Sequence, residues 1–468
     1  MSKPTVVSLF SGAGGFDWGF HKAGFVTRLA CEIAAHPATT LAYNLKLEII
    51  DTSVPPRVNG KPLLVQGDIQ EVDFSHVGFE PDVLIGGPPC QDFSMAKGQQ
   101  RQGLDGDRGK LYLHFVRAVM YLQPKIFVFE NVPGMQSAND RTAYGQILSH
   151  LQHLDSQEHV KGIQNLLENS ATPQHQVEGY DLLFNSIVEA PHLGIPQTRK
   201  RLIVIGIRRD LQRRIPSEEY KQIQARLKTA LAGENKHFKK YPLTTLEIFE
   251  GKPLPQIKER YAEIMKAYES LANETFPQAR AWHDQVWNQL TFDIVPDYFM
   301  ANQLDYSTYD PNEFEEAMEE HERLLRHLGW LDRPVHSTEF ADNSNMPLRQ
   351  SEDVRERMYM IPPDENHEFV VDTRWHVEGK KISFIYRRSH PLKPSWTVMA
   401  YGGGGTYGYH YERDRAMLTL RERARIQTFS DDFDFKGAEV RAQIGEAVPP
   451  LMSEVIANEV FDLLSKIC

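Results

Sequence analysis

Short runs of β-branched and aliphatic residues, each cut off by glycine, proline or an acid, punctuate the first 210 or so positions. Residues 5–9, 26–31, 63–65, 82–85, 126–129 and 202–206 are apolar enough to predict strands, 82–85 a buried parallel one. A helix is predicted from the turn after the first run through Ala23. Strands alternating with helical stretches predict an α/β fold, a doubly wound Rossmann-like sheet. The pattern then changes. Residues 221–330 read as helical, polar and rich in aromatics, with Asp310-Pro311-Asn312-Glu313 as a helix start: an N-cap, a proline at the first helical position and an early acid. Glu315, Glu316, Glu319, Glu320 and Glu322 read as a solvated helix face. After Gln443-Ile444-Gly445-Glu446-Ala447-Val448-Pro449-Pro450 a last helix is predicted to about residue 466. Its apolar side pairs Leu451 with Val455, and Ile456 with Val460 and Leu464. Docking of that helix on the N-terminal sheet would make the first domain discontinuous.

Composition narrows the class. The chain has 468 residues, room for two or three domains. Its three cysteines, Cys31, Cys90 and Cys468, suit neither a disulfide framework nor a zinc site, so a reducing, cytoplasmic setting is expected and no metal is. No apolar run is long enough to span a bilayer, and no leader pattern opens the chain. The formal net charge of −11 argues against nonspecific polyanion binding but says little about one local face. Basic residues do gather between 380 and 425: Lys380, Lys381, Arg387, Arg388, Lys393, Arg413, Arg415, Arg421, Arg423 and Arg425, with tyrosines, Trp396 and a glycine-rich stretch at 401–409 among them. Phosphate contacts are one expectation for them; ordinary surface arginines are the other.

Chemistry concentrates where the predicted strands end. The first runs into Phe10-Ser11-Gly12-Ala13-Gly14-Gly15, small residues that let a ligand approach the backbone and a helix N-terminus. The second ends at Glu32, where a carboxylate can take ribose hydroxyls. The third closes at Gly67-Asp68-Ile69. The fourth stops at Gly86-Gly87-Pro88-Pro89-Cys90-Gln91-Asp92-Phe93-Ser94. This rigid turn makes Cys90 a candidate nucleophile; an inert buried thiol is the alternative. The fifth ends at Glu130-Asn131-Val132-Pro133-Gly134, and Gln197-Thr198-Arg199-Lys200-Arg201 precedes the last. A doubly wound sheet would gather these positions along one edge. The polar, glycine-rich stretch at 98–110, with three basic residues, reads either as a loop that closes on substrate or as a solvated linker.

In this order the motifs resemble the cytosine-C5 DNA methyltransferase family. Residues 10–15 are similar to its cofactor loop, 88–91 to its nucleophile motif and 130–132 to its acid motif. Residues 197–201 are similar to its paired-arginine motif, 421–429 to its penultimate motif and 443–449 to its last. The resemblance implies a cofactor-binding catalytic domain at 1–210 plus 436–468. The variable target-recognition domain would then be 211–435, with a helical insertion around 221–330. It implies S-adenosylmethionine as cofactor, with Glu32 and Ile33 at its ribose side, Asp68 and Ile69 at its adenine, and Pro88, Glu446 and Ala447 beside it. Cys90 would attack C6 of a flipped-out cytosine, Glu130 would meet N3, and Arg201 would hydrogen-bond O2. Arg199 would share that task or hold neighbouring acids, and Pro89, Gln91, Ser94 and Asn131 would line the base pocket. The expected substrate is double-stranded DNA, acted on by a bacterial monomer, with a restriction endonuclease as possible separate companion. The rival readings are a tRNA methyltransferase on the same scaffold and a catalytically dead DNA-binding protein. One departure stands out: the family usually carries Asn where this chain has Glu446. That carboxylate is expected either to lie near the cofactor sulfonium or to point to solvent.

Overall fold

The computed structural model describes residues 3–89, 111–136, 142–156, 177–234, 236–377, 385–401, 405–406 and 408–467. Eight strands form one sheet: β1 Thr5–Leu9, β2 Val26–Glu32, β3 Glu48–Asp51, β4 Leu63–Gln66, β5 Val83–Gly86, β6 Ile126–Asn131, β7 Tyr180–Glu189 and β8 Lys200–Arg208. Their order is β3-β4-β2-β1-β5-β6-β8-β7. The neighbouring pairs from β3 to β6 are parallel, and β8 is antiparallel to both β6 and β7. The doubly wound α/β sheet expected from the sequence is therefore present. The order in which the chain adds strands reverses between β1 and β5, and ligands of such sheets bind at that switch point, outside the strands' carboxyl ends.

Register brings the predicted sites together. Leu9 pairs with Cys31 and with Gly86, Glu32 with Gln66, and Gly86 with Phe129. The residues that follow these pairs, Phe10, Gly67, Gly87 and Glu130, must emerge along one edge, beside Glu32.

Alternate side chains of each strand enter two cores, which is why the strands read as unbroken apolar runs. Val6, Val83, Ile85, Ile126, Val128, Ile203 and Ile205 face one cluster. Val7, Leu9, Leu84, Phe127, Phe129, Leu202 and Val204 face the other, against α3 (Tyr112–Leu122) and α4 (Thr142–Gln152). Two further N-terminal helices are α1 (Gly15–Lys22) and α2 (Ala35–Leu45).

The helical segment is α5 (Arg209–Gln212), α6 (Ser217–Ala232), α7 (Thr245–Glu250), α8 (Lys258–Lys266), α9 (Pro277–Gln285), α10 (Ile294–Ala301) and α11 (Pro311–His327). Asp310 caps α11 as expected, its carboxylate accepting the Asn312 N–H at 2.9 Å. Much of this segment joins the sheet's own cluster: Ile223, Leu227, Leu246, Tyr298, Phe314, Leu325 and Trp330 pack with the residues of the last helix. A separate apolar cluster contains Tyr268, Trp282, Met358, Ile361, Phe369, Ile385, Tyr386 and Tyr409. It spans α9 and α12 (Glu352–Met360) and is the part of the 211–435 region with a core of its own. The chain closes with α13 (Leu420–Ile426), α14 (Val440–Glu446) and α15 (Pro450–Ile467), and α15 packs on α1. That contact needs Gly19, where a Cβ would stand 2.4 Å from the Pro450 carbonyl.

The basic run turns inward. Arg388, Arg413, Arg421, Arg423 and Arg425 are buried. Arg388 donates to the carbonyls of Met358, Ile361, His410 and Glu412, and Arg425 to those of Ile248 and Arg333 and to Asp431. These arginines satisfy carbonyls of an irregular region where few are met by sheet or helix ladders. Both expectations, phosphate contacts and ordinary surface arginines, are therefore corrected for these five. Lys380 and Lys381 lie outside the described residues.

Candidate active site at the sheet's carboxyl edge

After β1 the backbone turns sharply. Phe10 takes φ +55°, unusual for a residue with a side chain, and the Ser11 N–H donates to the Cys31 carbonyl at 3.1 Å. Gly12 also has φ +55°, and a Cβ there would meet nothing within 4 Å, so this backbone faces open space. Its N–H donates to Glu32 Oε2 at 2.7 Å, while Ala34 N–H donates to Oε1 at 2.8 Å. Each carboxylate oxygen keeps acceptor capacity for a further donor. Burial raises the Glu32 carboxyl above the ordinary range against these N–H bonds, and Glu446 adds to the rise. Ile33 beside it is 64% exposed, an apolar surface at the rim.

Asp68 caps a short 3-10 turn, accepting the Gln70 N–H at 3.0 Å. The next residue, Ile69, is buried, and its carbonyl accepts Arg117 Nη2 at 2.6 Å; Arg117 Nη1 reaches the Val72 carbonyl at 3.0 Å. A buried guanidinium on α3 thus fixes the Asp68 turn. Sequence reading missed Arg117, although a lone arginine in the apolar run Leu113-His114-Phe115-Val116-Arg117-Ala118-Val119 was a visible signal.

Behind the loop lies another missed residue. Asp17, fully buried on α1, accepts the Ser8 hydroxyl at 2.9 Å and the Thr27 hydroxyl at 3.3 Å, and Ser8 is also bonded to Ser11. Burial pushes its carboxyl up to about 7.

The second half of the site sits at β5 and β6. The Glu130 carboxylate lies directly over Gly87, where a Cβ would be 2.7 Å from Oε2. Its Oε1 pairs with Arg201 Nε at 2.8 Å, both side chains being largely buried. Asn131 Nδ2 donates to the Pro88 carbonyl at 3.1 Å and pins the turn, with Pro88 buried and Pro89 exposed. Cys90, Gln91 and Ser94 lie outside the described residues, as does the stretch at 98–110.

Arg199 is used differently. It is fully buried, and its guanidinium donates to the Gly445 carbonyl at 3.1 and 3.2 Å and to the Ala447 carbonyl at 3.0 Å. Gln197 reaches the Ile426 carbonyl at 3.0 Å and Gln427, and Gln427 reaches the Ala447 carbonyl. Gln197, Arg199 and Gln427 therefore stitch the strand bearing Arg201 to the turn bearing Glu446 and Ala447. Gly15 permits the same approach from α1: a Cβ there would be 2.4 Å from the Val448 carbonyl.

Glu446 is exposed. Desolvation raises its carboxyl, Glu439 adds to the rise, and a hydrogen bond from the Tyr401 hydroxyl works against it. Along one edge the structure thus gathers the loop at 10–15, Glu32, Asp68, Glu446, Gly87-Pro88, Glu130 and Arg201.

Comparison with known proteins follows this geometry. The family model for C-5 cytosine-specific DNA methylase matches residues 4–462. DNA (cytosine-5-)-methyltransferase M.ApeKI of Aeropyrum pernix is 47% identical over 476 residues, covering 100% of both chains. Type II methyltransferase M.NgoFVII of Neisseria gonorrhoeae is 28% identical over 470 residues, covering 99% of this chain and 88% of the relative. Among solved structures, a prophage-encoded E. coli protein described as a DNA modification methyltransferase matches with a TM-score of 0.53. At 22% identity, over 99% of this chain and 100% of that one, this is a likeness of fold.

Proposed function

The chain belongs to the C-5 cytosine-specific DNA methylase family, and from that premise we propose that it methylates C5 of a flipped-out cytosine within a specific short duplex DNA sequence. S-adenosylmethionine is the methyl donor and Cys90 the nucleophile. The observation that carries this reading is the Glu130–Arg201 pair seated against Gly87, on the same edge as the Gly12–Glu32 turn.

The cofactor fits the residues present. Glu32 has acceptor capacity left for ribose hydroxyls, Gly12 offers an open backbone, and Ile33 exposes an apolar side chain beside them. Asp68 and Ile69 would stand at the adenine, with Glu446 and Ala447 nearby. When bound, the cofactor supplies an electrophilic methyl group.

The chain's own residues make the ring accept it. Cytosine C5 is a weak nucleophile. Addition of the Cys90 thiolate to C6 forms an S–C bond and gives C5 carbanion character. Negative charge then accumulates at N3 and O2. The Glu130 carboxyl hydrogen-bonds N3 and Arg201 donates to O2, while the Arg201 Nε holds the Glu130 carboxyl in place. Loss of the C5 proton to a base and departure of Cys90 restore the ring. The position of Arg199, whose Nη1 and Nη2 are taken by the Gly445 and Ala447 carbonyls, favours a positioning role over base contact. None of these atoms reaches a stacked base, so the cytosine must leave the duplex, at a cost of roughly a few kcal/mol. The type II names of several relatives support pairing with a separately acting restriction endonuclease.

A duplex carrying 5-fluorocytosine tests the reading. Fluorine at C5 cannot leave as a proton would, so the wild-type chain should remain covalently attached in the presence of S-adenosylmethionine, and Cys90→Ala should not. Tritiated-methyl transfer to duplex DNA but not to tRNA is the companion expectation. No adduct and no transfer to DNA, or transfer to tRNA alone, would overturn it.

A further inference from the structure

The carboxyl edge continues beyond the base pocket. β6 and β7 run in the same direction, each antiparallel to β8 between them. Glu189 at the end of β7, and the turn at 190–193, therefore share an edge with Glu130 two strands away. With strands about 4.8 Å apart, this is roughly 10 Å along the sheet from the strand of Glu130.

Here a cavity of about 320 Å³ opens between the edge and the helical segment, lined in part by Thr198, Phe238, Lys239, Asn302, Lys393 and Trp396. Thr198 belongs to the strand approach that carries Arg201. Trp396 is held by Arg387, whose guanidinium carbon lies 3.0 Å from the ring centroid.

Charge is distributed unevenly along this edge. The cofactor end presents Glu32, Asp68, Glu439 and Glu446. The β7 end presents His192, Lys200, Lys239 and Lys393 beside Glu189 and Asp364, and the turn carrying Lys239 is met on its α11 side by Glu313, Glu316 and Glu320. Lys200 is paired with Glu189 at 2.9 Å and Lys393 with Asp364. Among the described residues no carboxylate pairs with Lys239, which is exposed and lines the cavity. Burial, Lys239 and Lys200 lower the His192 imidazole against the opposing Glu189, so three basic side chains converge there.

We infer that this cavity seats a backbone phosphate of the DNA strand as it leaves the base pocket, with Lys239 as the charge partner and Trp396 as a wall for the adjoining sugar. The inference rests on the DNA reading above. A strand whose base is held at Glu130 continues on both sides of that base, and its flanking phosphates settle where the surface attracts polyanions. The acidic cofactor end repels them, and the β7 end offers an unneutralised ammonium in a preformed recess. The seat is assembled by the helical segment, which gives that insertion a role in substrate binding.

Duplexes containing the target cytosine and one neutral methylphosphonate, scanned along the flanking backbone, test it by fluorescence anisotropy at several salt concentrations. At one linkage the wild type should lose affinity, on the order of fivefold for one contact. Lys239→Gln should bind the unmodified duplex more weakly by a similar factor, and lose nothing further at that linkage. Its slope of log Kd against log salt should be shallower by about 0.9. Lys239→Glu should weaken binding further. Unchanged affinity and slope in both variants would overturn the seat while leaving the DNA reading intact. A wild-type chain that binds no duplex overturns both.

Discussion

Arg199 and Arg201 stand two positions apart, yet one is anchored on backbone carbonyls and the other on a carboxylate. That difference predicts two phenotypes. Arg201→Gln and Glu130→Gln should keep the fold and the affinity for S-adenosylhomocysteine while methyl transfer falls by about 10²–10⁴, the usual reach of a positioned acid and its partner. Arg199→Gln should lower the melting temperature and weaken cofactor binding, because the carbonyls of Gly445 and Ala447 lose charged donors worth roughly 1.5–3 kcal/mol each. Thermal melts and calorimetric titration read both. If Arg199→Gln melts like the wild type and loses only turnover, its role is catalytic after all. At this scale the placement of Glu32, Asp68 and Glu130 along one edge was legible in the sequence, because each followed an apolar strand. The partners of Arg199, the Arg117 clamp and the gap over Gly87 depend on elements far apart in the chain. No local spacing encodes them.

Among the elements, α11 and α7 meet through a buried pair. His321, fully buried, places Nδ1 2.8 Å from Glu247 Oε1 and Nε2 3.0 Å from the Tyr241 carbonyl. Both partners accept, so both ring nitrogens donate and the imidazole is cationic. Burial opposes that charge, but Glu247 and the carbonyl outweigh it and the His321 pKa is raised. The sign follows from linkage. The stabilisation is fully present below the unfolded value of about 6.5 and is lost as pH rises through the higher folded value. The melting temperature should therefore fall as pH rises above about 6.5, and His321→Gln should start lower and lack that pH-dependent component. An identical pH profile in the two proteins would sink this. Six strands and the last helix were readable from apolar runs, but β3 and β7 were not. β3 is only four residues, two of them acids, and β7 is interrupted by an irregularity between Leu182 and Phe184 that breaks its alternation. The arginines of 388–425 misled for a related reason: composition reports charge, not whether it faces water or carbonyls.

The whole molecule divides by core rather than by sequence. Most of the helical insertion shares the apolar cluster of the sheet and α15, while its α9 joins α12 and the segment around Tyr386 and Tyr409 in another. Cofactor residues and the Glu130–Arg201 pair all sit on the first unit. A ligand that binds only the folded state raises stability by about 2.7 kcal/mol at a hundredfold excess over Kd, and only for the unit it touches. Scanning calorimetry should accordingly show two transitions. S-adenosylhomocysteine should raise the one belonging to the sheet with its helical segment and leave the smaller one in place. Cognate duplex should raise the first transition further, since the phosphate seat lies on that unit. Limited proteolysis gives an independent view: cofactor should protect α6–α8 and α10–α11 along with the sheet, even though these helices lie beyond the boundary near 210 suggested by sequence. If cofactor instead left the helical segment as cleavable as before, the shared cluster would be a weak contact and the boundary would stand near 210.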